Sequence, residues 1–301
     1  MSSPSGTRFS HWTLPEANGV DSLILDENAS IDGPLGDEEV AVELHAASLN
    51  YRELVIVKNA FPSPWSSSIR LSLIPGSDGA GIVKAVGNSV TTFTPGDRVV
   101  THMTPSLTAN QYPTFSDICA GLGHGIDGTL RQYGHFDQAA LVKAPNSLSF
   151  EEAATLTCSG LTAYNALFGL RGREVHTGDW VLVQGTGGVS IAALQFAVAA
   201  GANVIATTSS EAKADRLKAL GAKEVVNYRS TPAWGKAARD LTPQHRGFDI
   251  VADIGGDTTL GQSIEAVRTD GLVVAAGMVG GAAKNSVPMM AALTMCVLCV
   301  G

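Results

Sequence analysis

A glycine turn set between an apolar run and a run of small residues constrains this chain more than any other feature. It reads Val181-Leu-Val-Gln-Gly185-Thr186-Gly187-Gly188-Val189-Ser190. The apolar run 180–184 has the length and composition of a buried strand, and 189–200 has the small and apolar residues of a helix that packs closely on a sheet. Gly185 permits a tight turn, and Gly187 lets a backbone approach a bound phosphate group. The amides from Gly185 to Ser190 then face the anion at a helix N-terminus, where unpaired N–H groups and the helix dipole favour negative charge. Ser190 stands where the fingerprint usually has its third glycine, a position that needs a small residue for helix–strand contact.

Downstream, strand-like and helix-like runs alternate. Strands are expected at 203–207, 224–227, 249–253 and 272–275, and helices at 211–220, 231–241 and 258–267. Such alternation with buried strands gives a parallel, doubly wound sheet of the Rossmann type. A glycine turn in that setting is a dinucleotide site, whereas alone it would be only a flexible loop. The second strand ends in Thr207-Thr208-Ser209-Ser210-Glu211-Ala-Lys213. NAD enzymes usually carry an acid at that strand end for the ribose hydroxyls. Here Thr208, Ser209 and Lys213 supply hydroxyls and a cation suited to a 2′-phosphate, so NADPH is the expected coenzyme. Glu211 is the residue that would reverse this preference.

Residues 1–150 read differently. Strand-like runs at 39–46, 80–86, 98–101, 128–136 and 138–142 are separated by turn signals such as Thr94-Pro-Gly-Asp97, and only 50–57 looks helical before residue 149. Ser149 followed by Glu151-Glu152 is a helix start, with helices expected over 153–157 and 161–170. The expected division is a β-rich domain over 1–150 and a nucleotide-binding domain over 151–301.

Composition excludes several classes. The net charge of −8 and the lack of any Lys/Arg run argue against nucleic acid as a partner. Four scattered cysteines do not make a disulfide scaffold. The N-terminus has no apolar signal region, and no window reaches the roughly 18 apolar residues of a membrane span, so a cytoplasmic location is expected. The apolar run 287–301 is read as a core segment.

Five motifs in order give the chain a family likeness: Ser48-Leu-Asn50-Tyr51-Arg-Glu53, Pro75-Gly-Ser-Asp-Gly-Ala-Gly81, Pro95-Gly-Asp-Arg-Val99, Thr157-Cys-Ser-Gly-Leu-Thr-Ala-Tyr164 and the glycine turn. The chain resembles the medium-chain dehydrogenase/reductase superfamily, in its zinc-independent, quinone oxidoreductase-like and fungal zinc-type alcohol dehydrogenase-like branch. The resemblance implies an N-terminal GroES-like catalytic domain, with the active site in the cleft between it and the Rossmann domain. It implies Asn50, Tyr51 and Thr162 near the nicotinamide and Tyr228 beside the 2′-phosphate. It also implies no catalytic zinc: where relatives have ligands, this chain has Asn50 and Gly76-Ser77-Asp78, and only Cys158 matches, whereas a catalytic zinc takes three protein ligands. His102, His124 and His135 match no ligand spacing, and Cys296 and Cys299 read as core. Glu53 and Asp78 read as structural acids, and Phe61, Trp65 and Tyr112 as candidate substrate contacts.

Family members usually continue through a sixth sheet strand and a return to the catalytic domain. That strand is expected beyond residue 301, which leaves a homodimer built on it in doubt. The function expected is NADPH-dependent hydride transfer to a quinone or an activated C=C bond of a small molecule. The competing readings are a nucleotide-binding protein with impaired catalysis and a zinc alcohol dehydrogenase.

Overall fold

The computed structural model describes residues 8–31, 33–60, 69–70, 72–107, 113–281 and, as backbone, 298–300. Two compact units emerge, Met1–Cys158 and Ser159–Gly301.

In the first unit, β1 (Phe9–Thr13) and β2 (Ile24–Ala29) form an antiparallel pair. The main sheet contains β3 (Glu39–Ser48), β4 (Asp78–Val86), β5 (Arg98–Thr101), β6 (Tyr133–Asp137) and β7 (Leu141–Lys143), in the antiparallel order β6-β3-β4-β5-β7. Its core is Val40, Val42, Val83, Val99 and Phe136 with Phe93, Leu122 and Leu141. Helices α1 (Tyr51–Val57), α2 (Phe115–Ala120) and α3 (Phe150–Ala153) accompany it. Gly81 is required where it stands, because a Cβ there would collide with the Glu43 carbonyl across the ladder.

The first unit runs through Cys158, and packing accounts for its last residues. Ala153 and Ala154 are buried with Ala80, Val100 and Ala144. Thr157 and Cys158 donate hydrogen bonds to Asp78 at the start of β4. The segment after α3 is thereby fastened to the β-rich unit.

The second unit contains α4 (Leu161–Phe168), β8 (Trp180–Gln184), α5 (Gly188–Ala199), β9 (Asn203–Thr208), α6 (Glu211–Ala219), β10 (Glu224–Asn227), α7 (Trp234–Asp240), β11 (Phe248–Asp253), α8 (Leu260–Ala266), β12 (Val267–Ala275) and β13 (Leu298–Val300). The strands make a six-stranded parallel sheet in the order β10-β9-β8-β11-β12-β13. Alternate residues serve opposite faces. Val181, Val183, Val204, Ala206, Ile250 and Val274 enter one core, and Leu182, Ile205, Val251 and Val273 the other. Both faces are therefore buried, which is why these strands read as continuous apolar runs.

The sixth strand corrects the expectation that placed it beyond residue 301. Leu298–Val300 pairs in parallel with Leu272–Val274. An apolar run has no periodicity that separates a buried strand from a core helix, so 287–301 concealed it. Residues 282–297 lie outside the described residues. Strand order reverses at β8, which has β9 on one side and β11 on the other. Ligands of doubly wound sheets bind at the strand C-termini beside such a point. Among the described residues no helix is long and apolar enough to cross a membrane.

Candidate active site: a nucleotide crevice and a buried polar cluster

The glycine turn occupies the C-terminal end of β8. Gly185 has φ +80°, a left-handed conformation that favours glycine, and its N–H donates to the Thr207 carbonyl at 3.1 Å. Gly187 is the extended N-cap of α5, a helix of 12 residues. A Cβ built on Gly185 or Gly187 meets nothing within 4 Å, whereas one on Gly188 would lie 2.6 Å from Ser159 Oγ. The turn therefore has an open side above Gly185 and Gly187 and a packed side at Gly188. The first N–H groups of α5 lack partners within their helix, so the N-terminus behind this opening fits a diphosphate. Ser190 is buried, and its hydroxyl donates to the Gln184 carbonyl at 2.6 Å. It fills the third-glycine position while tying the helix back to the strand.

The neighbouring strand ends converge on the same rim. Lys213 on α6 donates from Nζ to Thr186 Oγ1 at 3.3 Å, which brings a cation to the glycine turn. Thr208 is buried, and its hydroxyl accepts from the Ser210 N–H at 3.2 Å, so it shapes the turn into α6. Ser210 is the N-cap of α6, and Ser209 before it is partly exposed. Tyr228 follows β10, donates its backbone N–H to the Thr208 carbonyl at 3.0 Å, and leaves its ring 41% exposed. Glu211, the first residue of α6, accepts from Asn227 Nδ2 at 2.5 Å.

A second network supports the loop after β11. Gln184 Nε2 donates to Ser263 Oγ at 2.6 Å, and Ser263 Oγ donates to Asp253 Oδ2 at 2.6 Å. Gln184 Oε1 accepts from the Ile254 N–H at 3.2 Å, and Asp253 Oδ1 accepts from Thr259 at 2.6 Å. These residues brace the two strand ends at the switch point. Gln184, Asp253 and Ser263 were not singled out from sequence, because the Gln184 bonds that join β8 to this loop span 70 and 79 residues of chain.

The first unit carries a polar cluster around Asp78. Asn50, the N-cap of α1, donates its backbone N–H to Glu53 Oε2 at 2.7 Å and its Nδ2 to Asp78 Oδ2 at 3.0 Å. Asp78 also accepts from Thr157 Oγ1 at 3.1 Å and from the Cys158 N–H at 3.2 Å. Glu53 Oε1 accepts from Ser77 Oγ at 3.0 Å. Arg52 donates to the Leu122 carbonyl at 3.0 Å and lies 3.8 Å from Glu53. Thr157 and Cys158 sit on a single π-helical turn, Leu156–Gly160, a device that commonly marks functional positions.

Burial sets the protonation of this cluster. It pushes the Cys158 thiol up to about 12, helped by the charges of Asp78 and Glu53. Burial and the Arg52 cation push His124 down to about 4. Burial also pushes Asp78 up to about 6, against the donors from Asn50, Thr157 and Cys158. Between its ordinary value of 3.8 and about 6, the folded state holds a proton that the unfolded chain has released. The stability contributed by this group is therefore fully present at acid pH and lost as pH rises through about 6, by ~3 kcal/mol. Asp78→Asn removes that titration. The variant should gain ~2 kcal/mol relative to wild type between about pH 4 and pH 6.5 in urea unfolding, and a pH-independent difference would contradict the assignment.

Known proteins agree with both halves. Residues 36–146 match the alcohol dehydrogenase GroES-like domain, and residues 188–298 match the zinc-binding dehydrogenase domain. A zinc-type alcohol dehydrogenase-like protein of Schizosaccharomyces pombe is 42% identical over 278 residues, covering 92% of this chain and 78% of that protein. The chain belongs to the medium-chain dehydrogenase/reductase superfamily. Two solved structures of this superfamily superpose over 97% of the chain. One, an NAD-dependent alcohol dehydrogenase, has a TM-score of 0.82 and 33% identity and is covered over 84% of its length. The other, a quinone oxidoreductase of Pseudomonas syringae, has a TM-score of 0.76 and 30% identity and is covered over 80%. The superfamily is one of oxidoreductases.

Within this medium-chain dehydrogenase/reductase fold the candidate residues separate by unit. The glycine turn, Thr208, Ser209, Lys213 and Tyr228 all lie at or just after the C-terminal ends of β8, β9 and β10 in the second unit, which also carries Thr162 on α4, partly buried. Asn50 and Tyr51 belong to the first unit, where Tyr51 opens α1 and is 45% exposed. Among the described residues no group of three His, Cys, Asp or Glu side chains is placed to hold a metal ion. His102 accepts from the Thr104 N–H, and His135 lies 3.7 Å from Glu39. Phe61, Trp65, Tyr112 and Cys296 lie outside the described residues, and Cys299 is described only as backbone of β13.

Proposed function

We propose that the chain is an NADPH-dependent oxidoreductase that works without catalytic zinc and reduces a quinone or an activated C=C bond. The carrying observation is the open glycine turn with Lys213 held against Thr186. The amides of α5 take the diphosphate, and the ammonium of Lys213, with Ser209 and Tyr228, takes the 2′-phosphate. The similarity to an NAD-dependent alcohol dehydrogenase makes NADH the competing coenzyme.

The donor set at the usual metal position does not suit zinc. Asn50 turns its NH2 group toward Asp78 and Ser77 donates its hydroxyl to Glu53, which leaves Cys158 alone of the usual ligand positions, whereas a catalytic zinc takes three protein ligands. Without a metal to lower an alcohol's pKa, an acceptor that is already electron-poor is the suitable substrate. Bound NADPH supplies the hydride. Tyr51, exposed at the first turn of α1, is the proposed hydrogen-bond donor to the oxygen that gains charge. The similarity to a quinone oxidoreductase supports this choice of acceptor.

Loss of nicotinamide absorbance with a panel of quinones and enones tests the reading. Turnover that survives a chelator is expected. Saturable binding without turnover would favour a non-catalytic nucleotide-binding protein. One zinc per chain, lost in Cys158→Ala, would favour a zinc alcohol dehydrogenase.

A further inference from the structure

We infer that Asn227 sets coenzyme choice by holding Glu211 away from the adenosine ribose, an inference that rests on the NADPH reading above. Glu211 is the first residue of α6, just past the end of β9, close to where an acid would read the ribose hydroxyls. Lys213, the third residue of the same helix, reaches Thr186 of the glycine turn, so the start of α6 lies beside that turn. A carboxylate and an ammonium thus compete for one locality. A free Glu211 would repel a 2′-phosphate and accept from a 2′-hydroxyl.

The structure ties that carboxylate elsewhere. Asn227, the last residue of β10, donates Nδ2 to Glu211 Oε1 at 2.5 Å. Asn227 is itself pinned. Its Oδ1 accepts from the Arg229 N–H at 3.0 Å, and its carbonyl accepts from the Thr231 N–H at 3.0 Å. Its backbone lies beside Thr208 in the sheet. The amide is a fixed donor presented from the outer strand. It draws the acid toward β10 and leaves Lys213 as the charge at the glycine turn.

Calorimetric titration of NADPH and NADH into wild type, Asn227→Ala, Glu211→Gln and the double variant tests this. Asn227→Ala should lower the NADPH-over-NADH preference about five- to tenfold, since the bond is to a charged group but exposed. In the Glu211→Gln background the same substitution should change it less than about twofold. Asn227→Asp keeps the acceptor for Arg229 but replaces the donor with a carboxylate that repels Glu211, and should shift the preference the same way. An unchanged preference in Asn227→Ala, or an equal shift in both backgrounds, overturns the inference while NADPH binding stands. A wild type that prefers NADH or binds neither coenzyme removes the reading on which it rests.

Discussion

Replacing Gly187 by valine is expected to abolish coenzyme binding while the protein stays folded. Gly187 has φ −77° and ψ 173°, which valine adopts without strain, and a Cβ there meets no atom within 4 Å. The fold should lose only about 1 kcal/mol, because glycine is preferred to valine at an N-cap. The coenzyme meets a different situation, since the open space that accommodates the side chain is the space a diphosphate would occupy. Hydrogen bonds to charged groups are worth about 1.5–3 kcal/mol each, and displacing the anion by even one bond length forfeits at least two, so affinity should fall more than about 100-fold. Gly185→Ala makes a useful contrast. Its φ of +80° adds about 1–2 kcal/mol of backbone strain, so that variant should lose stability as well as affinity. Thermal unfolding beside calorimetry separates the two.

Lys213→Glu carries the second large effect, and it should be selective. The lysine stands at the glycine turn through Thr186, where it would neutralise a 2′-phosphate absent from NADH. Losing a charge-assisted bond and adding a like charge should weaken NADPH about 10- to 100-fold. NADH should change little. The NADPH affinity of wild type should also fall with salt, because an exposed charge pair is screened. Equal loss for both coenzymes would mean that Lys213 acts on the shape of the turn and not on the phosphate.

Legibility in the sequence followed burial. The strands at 98–101, 180–184 and 224–227 were readable to the residue, since short apolar runs between turn signals have few alternatives. Phe9–Thr13 and Ile24–Ala29 were not. Their residues mix types without alternation, and β2 is exposed at all but its last position. The strand expected over 128–136 starts only at Tyr133, because Gly128 is packed against Gly76 in a turn. At the candidate site, the glycine turn, Lys213 and the structural acids Glu53 and Asp78 were visible as residue types in a known context. The Asn227–Glu211 clamp and the Gln184–Ser263–Asp253 chain were hidden, because they exist only once helix and strand residues are packed side by side, and the Gln184–Ser263 bond spans 79 residues of chain.

One titration bears most directly on the claim that this crevice is built for a phosphorylated dinucleotide. NADPH and NADH are each added to the wild-type chain by calorimetry at one fixed, moderate ionic strength. The proposed function predicts saturable binding of NADPH, at least about tenfold tighter than NADH, the worth of one charge-assisted contact. Equal affinities, tighter NADH or no heat with either would contradict it.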